Sequence, residues 1–527
     1  MFPGPLMNAT TNYFVHVNVF NNLDEPLLIT CSVKYHAFRF SGMAYNRDFI
    51  HGRTEFLAQT VQLKPGVSEG YGLIRVNNRN VILLPLAKPE AEFDLLIGDW
   101  FVPDYKKIRS MRKESWGIPD LMLTNVKFLR DIQTLWSMNL LMSRKVRKRK
   151  TYRIRVSNVG SVFSFNFRIQ NHKMVLVETE GSYTNQIILD SLDVHVGQSY
   201  SVLVTANQDE ADYYMVASPK LFDTNFSNTP YLVGNGVLHY ANSVGTVRAP
   251  VPNGPDPFDI EFSINQANSI RAAAIHIRFF KHVSNALLRP NPQGTFNVLN
   301  IISTQTFILH GSKTEINGRL RYVVNNVSHL TPDTALKLVD HFRKGFPVYE
   351  LNSFPVRSVN NAAAYGTYVV TGVHKGWREI VFKNYHEVMD SWHLDGFRFY
   401  VAGFGERELT PQLCNTNNLD DLDACSAVQV YPGRWTAVYA FLLAKERPPP
   451  ENLLLRGWYR DFSINLTHPT GAPAPQPDPG IQVNTGGFRF TQTTAQYKKK
   501  NFDRASIGNL QGLVECWLNP WWHFSNF

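Results

Sequence analysis

Apolar and polar residues alternate with a period of two through most of this chain. Phe14-Val-His-Val-Asn-Val-Phe20 alternates and runs into an Asn-Asn-Leu-Asp turn. Thr151-Tyr-Arg-Ile-Arg-Val156, Ser199-Tyr-Ser-Val-Leu-Val-Thr205 and Gly366-Thr-Tyr-Val-Val-Thr371 repeat the pattern. Successive side chains of a strand point to opposite faces, so each segment predicts a strand with one face on a core. Such strands at spacings of roughly 8–12 residues, with turn residues between them, predict β-sandwiches. Helical periodicity is scarce; the stretch 128–142 is the exception. A Pro/Gly-rich linker, Ala249-Pro-Val-Pro-Asn-Gly-Pro-Asp-Pro257, divides the chain. Prolines crowd 446–480, which predicts a loosely docked or disordered tail over 446–527.

Composition supports that picture and narrows the chemistry. The 527 residues suggest about three domains. Hydrophobic residues make up 44% and charged residues only 18%, enough apolar surface for large cores. Net charge is +10, and Arg144-Lys-Val-Arg-Lys-Arg-Lys150 supplies six of the positive charges. No aromatic platform or nucleic-acid motif accompanies that run, so it is read as a solvated loop and no nucleic-acid partner is expected. A basic secreted protein has affinity for anionic wall polymers or a phospholipid surface. Cys31, Cys414, Cys425 and Cys516 form no Cys-x-x-Cys, which removes zinc knuckles and thioredoxin-like sites. Cys414 and Cys425 are near enough in sequence to close a small loop by a disulfide, or to remain two thiols. Asn8, Asn225, Asn326 and Asn465 begin glycosylation sequons. No run of 18 apolar residues predicts a membrane span.

Two segments carry the chemistry: Ser-Trp-His-Leu-Asp-Gly at 391–396 and Tyr-Pro-Gly-Arg-Trp at 431–435. With Asn-Asn-Leu-Asp-Glu-Pro at 21–26, Leu-Ile-Gly-Asp-Trp at 96–100 and Arg-Pro-Asn-Pro-Gln-Gly-Thr-Phe-Asn at 289–297, they resemble the multicopper oxidase family. The resemblance is to the plant ascorbate-oxidase homologue branch, which includes pollen-specific and monocopper-oxidase-like, "skewed"-type proteins. It implies an all-β fold of tandem cupredoxin-like, Greek-key β-sandwiches. Three units are expected: 1–92, short of several strands; 93–245; and 258–445, with degenerate copper segments. Segments 33–69 and 126–150 have no counterpart in the family. The opening Met1-Phe-Pro-Gly-Pro follows a secretion signal and a first strand in relatives, so an N-terminally truncated secreted protein of the cell wall or plasma-membrane surface is expected.

The resemblance also places the copper ligands, and here the chain departs from the family. The three His positions of the His-Pro-x-His-Leu-His strand fall on Asp390, His393 and Asp395. The His-Cys-His positions fall on Val438, Tyr439 and Ala440. A blue-copper site needs a thiolate and two imidazoles, and the three-copper cluster uses four His-x-His pairs. This sequence holds 16 histidines and no His-x-His pair. No catalytic or cofactor-binding residue is therefore expected, and copper enters by family resemblance alone. His393 and Asp395, on one face of a strand, are the residual metal candidates; His386 lies at an odd offset of seven residues. No Gly-x-Ser-x-Gly elbow or phosphate-binding loop occurs. Glu178 and Glu180, and Asp420 and Asp421, are expected to be surface charge, and Trp392, Phe397 and Trp435 core aromatics. The reading is a non-catalytic surface or wall protein linked by resemblance to directional and pollen-tube growth. The alternative is a copper-dependent oxidoreductase of ascorbate oxidase or ferroxidase type.

Overall fold

The computed structural model describes residues 7–10, 74–77, 86–100, 121–124, 146–160, 162–180, 182–222, 233–243, 247, 250–272, 303–317, 319–329, 350–351, 362–366, 368–373, 376–394, 399–406, 423–425, 427–442, 452–457 and 460–467. Strands dominate. In the first unit β1 (Met7–Thr10) pairs parallel with β2 (Ile74–Asn77); the segments 14–20 and 33–69 lie outside the described residues.

The second unit is a two-sheet sandwich. It holds β3 (Ala91–Trp100), β4 (Leu121–Thr124), β5 (Thr151–Asn158), β6 (Ser164–Ile169), β7 (Met174–Thr179), β8 (Ser182–Leu189), β9 (Ser191–Val194), β10 (Ser199–Thr205), β11 (Asp212–Lys220) and β12 (Gly234–His239). One sheet runs β4-β3-β5-β10-β7-β8 and the other β12-β11-β6-β9. The alternation in 151–156 and 199–205 does what it predicted: Tyr152, Ile154, Val156, Val202 and Val204 meet Phe165, Phe167 and Met215 in one core. On the opposite face of the larger sheet, the polar phase of the same strands builds an ion-pair ladder. Arg75 of β2 pairs with Asp94, Arg155 bridges Asp94 and Glu92, and Arg153 bridges Glu92 and Glu178. Three guanidinium groups face three carboxylates, so the ladder is neutral and ties the first unit to the second.

A helix not expected from the sequence, α1 (Ile260–Ala272), follows the proline linker. Asp259 accepts from Phe262 N at 2.9 Å at its start, as an N-cap does. Arg168 pins the linker by donating to the Pro252 carbonyl through Nε and Nη2, at 2.9 and 2.8 Å.

The third unit holds β13 (Ser303–Ile316), β14 (Arg319–Val324), β15 (Val327–His329), β16 (Glu350–Leu351), β17 (Ala364–Gly366), β18 (Tyr368–Val373), β19 (Gly376–Asn384), β20 (Asp390–Leu394), β21 (Phe399–Gly405), β22 (Asp423–Cys425), β23 (Ala427–Val430), β24 (Trp435–Leu442), β25 (Asn452–Gly457) and β26 (Arg460–Thr467). Its sheets run β17-β15-β14-β13-β19-β24-β21-β22 and β16-β18-β26-β25-β20-β23. Phe307, Leu309, Ile380, Phe382, Trp392, Phe399 and Val438 fill the space between them. The Pro-Gly of 431–435 makes the turn into β24: Arg434 N donates to Tyr431 O at 3.1 Å and Gly433 has φ +66°, as a type II turn requires.

Strands of the third unit's smaller sheet lie beyond the expected boundary at 445. Residues 452–467, expected in a loose tail, form the β25–β26 hairpin inside the smaller sheet, between β18 and β20. The proline count that suggested disorder misses a local fact: residues 451–468 contain no proline, and Pro450 and Pro469 flank the hairpin rather than interrupt it. The rest of the tail, and the stretch 128–142, lie outside the described residues.

Candidate metal centre

Strand alternation decides what each residue near 390 reaches. Asp390 and Trp392 turn into the intersheet core. Trp392 stacks on Phe382 with ring centroids 4.8 Å apart, and its Nε1 donates to Asp390 Oδ2 at 3.2 Å. Asp390 Oδ1 accepts from Ser391 N at 3.1 Å. The carboxylate thus closes the start of β20 and is buried. Ser391 and His393 turn the other way. Ser391 Oγ donates to the Val196 carbonyl of the second unit at 2.8 Å, and His393 is half-buried on that same face. Asp395, the other residual candidate, lies outside the described residues, as do Phe397, Asp420 and Asp421.

The second half of the expected centre lies on β24. Val438 and Ala440 point into the core beside Trp392. Tyr439 points to the outer face of the eight-stranded sheet, among Val381, Tyr400 and Trp435. Its hydroxyl donates to Glu379 Oε1 at 3.2 Å, and Glu379 Oε2 accepts from Thr306 Oγ1 at 2.6 Å. Asp390 and Tyr439, which the resemblance assigns to one blue-copper centre, therefore have the eight-stranded sheet between them. His386 packs edge-on against Tyr322, with ring centroids 5.6 Å apart. Among the described residues, no three His, Cys, Asp or Glu side chains converge on a common point. Cys425 is buried in the third core on β22; Cys414 lies outside the described residues. Among the described residues, the donors at these positions do not fit a blue-copper ion, which needs a thiolate and two imidazoles.

The polar groups that do converge lie between the second and third units, and sequence reasoning missed them. β23 is an outer strand of its sheet, and side chains of the second unit cover its edge. Ala427 N donates to Glu180 Oε2 at 3.3 Å, and Gln198 Nε2 donates to the Ala427 carbonyl at 3.4 Å and to Gln429 Oε1 at 2.7 Å. Gln198 Oε1 in turn accepts from Tyr200 Oη at 3.1 Å and His195 N at 3.2 Å. Glu180, in the left-handed region at φ +44°, also accepts from Ser199 N at 3.3 Å. Glu178 and Glu180, expected on the surface, are only 3% and 4% exposed. The sequence carried no signal of this, because Arg153 and Ala427 reach them through sheet register and domain docking.

Helix α1 is clamped from both sides. Asp193 of β9 accepts from Ser263 Oγ at 2.6 Å and Asn166 Nδ2 at 2.7 Å. Tyr431 Oη of the third unit donates to the Ser263 carbonyl at 3.0 Å. The buried Lys220 amine donates to the carbonyls of Asp256 and Asp259. Burial raises the Asp193 carboxyl above its ordinary range, and Ser263 and Asn166 oppose that. Burial lowers the Lys220 amine, opposed by Asp193. Burial, with the Lys220 charge, depresses His195 to about 3, and its neutral ring bonds Ser164 Oγ through Nδ1 at 2.9 Å. These groups join the second unit to the third through α1.

Of the sequons, Asn326 occupies a two-residue hairpin turn. Asn325 and Asn326 both have positive φ, +48° and +65°, as a type I′ turn requires. Asn8 lies on β1 and Asn465 on β26; Asn225 lies outside the described residues. Of the basic run, 147–150 is exposed as expected. Arg147 and Lys150 pair with Glu90, and Lys148 with Asp209.

Known proteins supply the family. Multicopper oxidase family models match residues 92–243 and 331–446. The chain is 38% identical to "Monocopper oxidase-like protein SKS1" of Arabidopsis thaliana, over 83% of this chain and 76% of that protein. It is 34% identical to an "L-ascorbate oxidase homolog" of Brassica napus, over 83% and 78%. Among solved structures, Fet3p, a multicopper oxidase that functions in iron import, superposes with a TM-score of 0.58 at 15% identity, covering 94% of this chain and 90% of that one. Identity that low speaks for fold alone, and the fold is the tandem cupredoxin-like one that the alternation and the resemblance predicted. With sandwich, sequence and framework motifs in agreement, the chain belongs to the multicopper oxidase family, among the plant monocopper-oxidase-like proteins and ascorbate oxidase homologues.

Proposed function

We propose that this protein is a non-catalytic multicopper-oxidase-like protein that keeps the family's framework as a binding scaffold. One observation carries the reading. The positions that hold blue copper in the family are a carboxylate occupied by Ser391 N and Trp392 Nε1, and a phenol on the far side of a sheet. Each side chain has been reassigned to packing or hydrogen bonding, and among the described residues no three His, Cys, Asp or Glu side chains converge there. Retained sandwiches without the ligand set are suited to recognition rather than electron transfer.

The compartment and partners in this reading are the plant cell surface or wall, in directional or pollen-tube growth. Support comes from the family resemblance, the four sequons and the charge of +10. A net positive surface favours anionic wall polymers or a phospholipid surface over neutral ones. The test is metal analysis by mass spectrometry on copper-reconstituted protein, with the absorption spectrum and oxygen consumption on ascorbate, phenolics and ferrous iron. The expected result is copper far below one ion per chain, no blue band and no turnover above free copper. Near-stoichiometric copper with a blue band would establish the alternative, a copper-dependent oxidoreductase.

A further inference from the structure

We propose that Asn326 is an N-glycan acceptor, carried at the tip of the β14–β15 hairpin. The inference rests on the cell-surface reading above and adds which sequon the fold suits. Three sequons fall within the described residues. Asn8-Ala-Thr10 lies in strand β1, which pairs with β2. Asn465-Leu-Thr467 ends β26, which pairs with β18 on one side and β25 on the other. A glycan is bulky and belongs in solvent, so along a strand it must find room beside the neighbouring strands. Among these three, Asn326 alone lies outside a strand, in the tight turn between Val324 and Val327.

The turn itself singles out this asparagine. A type I′ turn favours Asn-Gly, because both central residues have positive φ and glycine meets the second without strain. This chain has Asn-Asn there. Asn325, at the first position, is committed to structure. It is buried, its Oδ1 accepts from His310 N at 2.7 Å, and its Nδ2 donates to the Ile308 carbonyl at 2.9 Å, which pins the turn to β13. Asn326, at the second, is partly exposed and is held through its main chain, its carbonyl accepting from Ala364 N at 3.0 Å. At φ +65° glycine would serve the backbone better. What asparagine supplies there and glycine lacks is a carboxamide.

Ser328, which completes the sequon, is buried on β15, paired with Tyr365 of β17. The transferase must reach that hydroxyl, so transfer precedes closure of the hairpin, and the closed turn still leaves Asn326 partly in solvent. In the transfer, Asn326 Nδ2 forms a bond to the anomeric carbon of the donor sugar. The bond from that carbon to a lipid diphosphate breaks, the diphosphate leaves with the electron pair, and one Nδ2 proton passes to a base of the transferase.

Glycopeptide mass spectrometry on the full chain, produced in plant cells behind a secretion leader, tests the proposal. Two variants accompany the parent: Asn326→Gly, which suits the turn but removes the acceptor, and Ser328→Thr, which keeps the sequon. The expected result is sugar on the peptide holding residue 326 in the parent and in Ser328→Thr. Asn326→Gly should be secreted with one glycan fewer, read as a single step in gel mobility that enzymatic deglycosylation abolishes. A parent whose Asn326 is bare, whether or not another sequon is filled, or an Asn326→Gly chain that loses no glycan, would overturn the proposal. The leader makes this outcome independent of the natural compartment. Sugar on Asn326 with the leader, but none on the protein purified from plant tissue, would sustain the acceptor and overturn the cell-surface reading alone.

Discussion

Deleting the β25–β26 hairpin should unfold the third unit and leave the second intact. The hairpin joins the two halves of the smaller sheet. Leu394, His393 and Trp392 of β20 pair with Leu455, Arg456 and Gly457, and Val369–Val373 of β18 pairs with Ser463–Thr467. Three pairs are lost on one side and five on the other. At roughly one ladder hydrogen bond per pair and about 1 kcal/mol net for each, the loss is roughly 8 kcal/mol. Domains of this kind are stable by about 5–15 kcal/mol in total, so most of the third unit's margin goes. Two new edges, on β18 and β20, would also be exposed. Differential scanning calorimetry resolves the matter if the parent shows separable transitions for the two sandwiches. Deletion of 452–467 should remove one and spare the other, and Leu454→Pro, which takes a ladder donor from β25, should lower the same one. A third-unit transition that survives the deletion within a few degrees would mean that β18 and β20 hold without the hairpin, and the expected boundary at 445 would be restored.

Acid should weaken the joint around His195. The folded ring holds its proton only near pH 3, whereas the unfolded one does so near 6.5, so below 6.5 the unfolded chain binds more protons and stability falls with pH. By pH 4.5 the loss is roughly 2–3 kcal/mol; urea midpoints at pH 7 and 4.5 should show it, and His195→Asn should flatten the slope, whereas an unchanged slope would remove His195 as the cause. Arg153→Ala should cost about 3–5 kcal/mol in urea unfolding, because Glu178 would be left buried and charged. The double change Arg153→Met with Glu178→Leu should recover most of it, and a single change costing under ~0.5 kcal/mol would contradict burial of the pair.

Sequence by itself determined what repeats locally. A period of two needs only that successive side chains of a strand face opposite ways, so Thr151–Val156 and Ser199–Thr205 were legible as strands, and Trp392 and Trp435 as core. The absence of any His-x-His pair was legible too, because such a pair is defined by residue type and short spacing. Tertiary structure alone decided the rest. That Asp390 and Tyr439 are divided by a sheet follows from the phase of two strands brought together only by folding. The Glu180 and Gln198 cover on β23 joins residues some 230–250 apart in sequence, and no local pattern records such a partner. Helix α1 escaped notice because its burial is shared between two domains rather than set by one apolar stripe. The hairpin at 452–467 was hidden by averaging prolines over a window wider than the strands they flank. What a strand contributes depends on which edges it joins, and that is a property of the sheet, not of the strand.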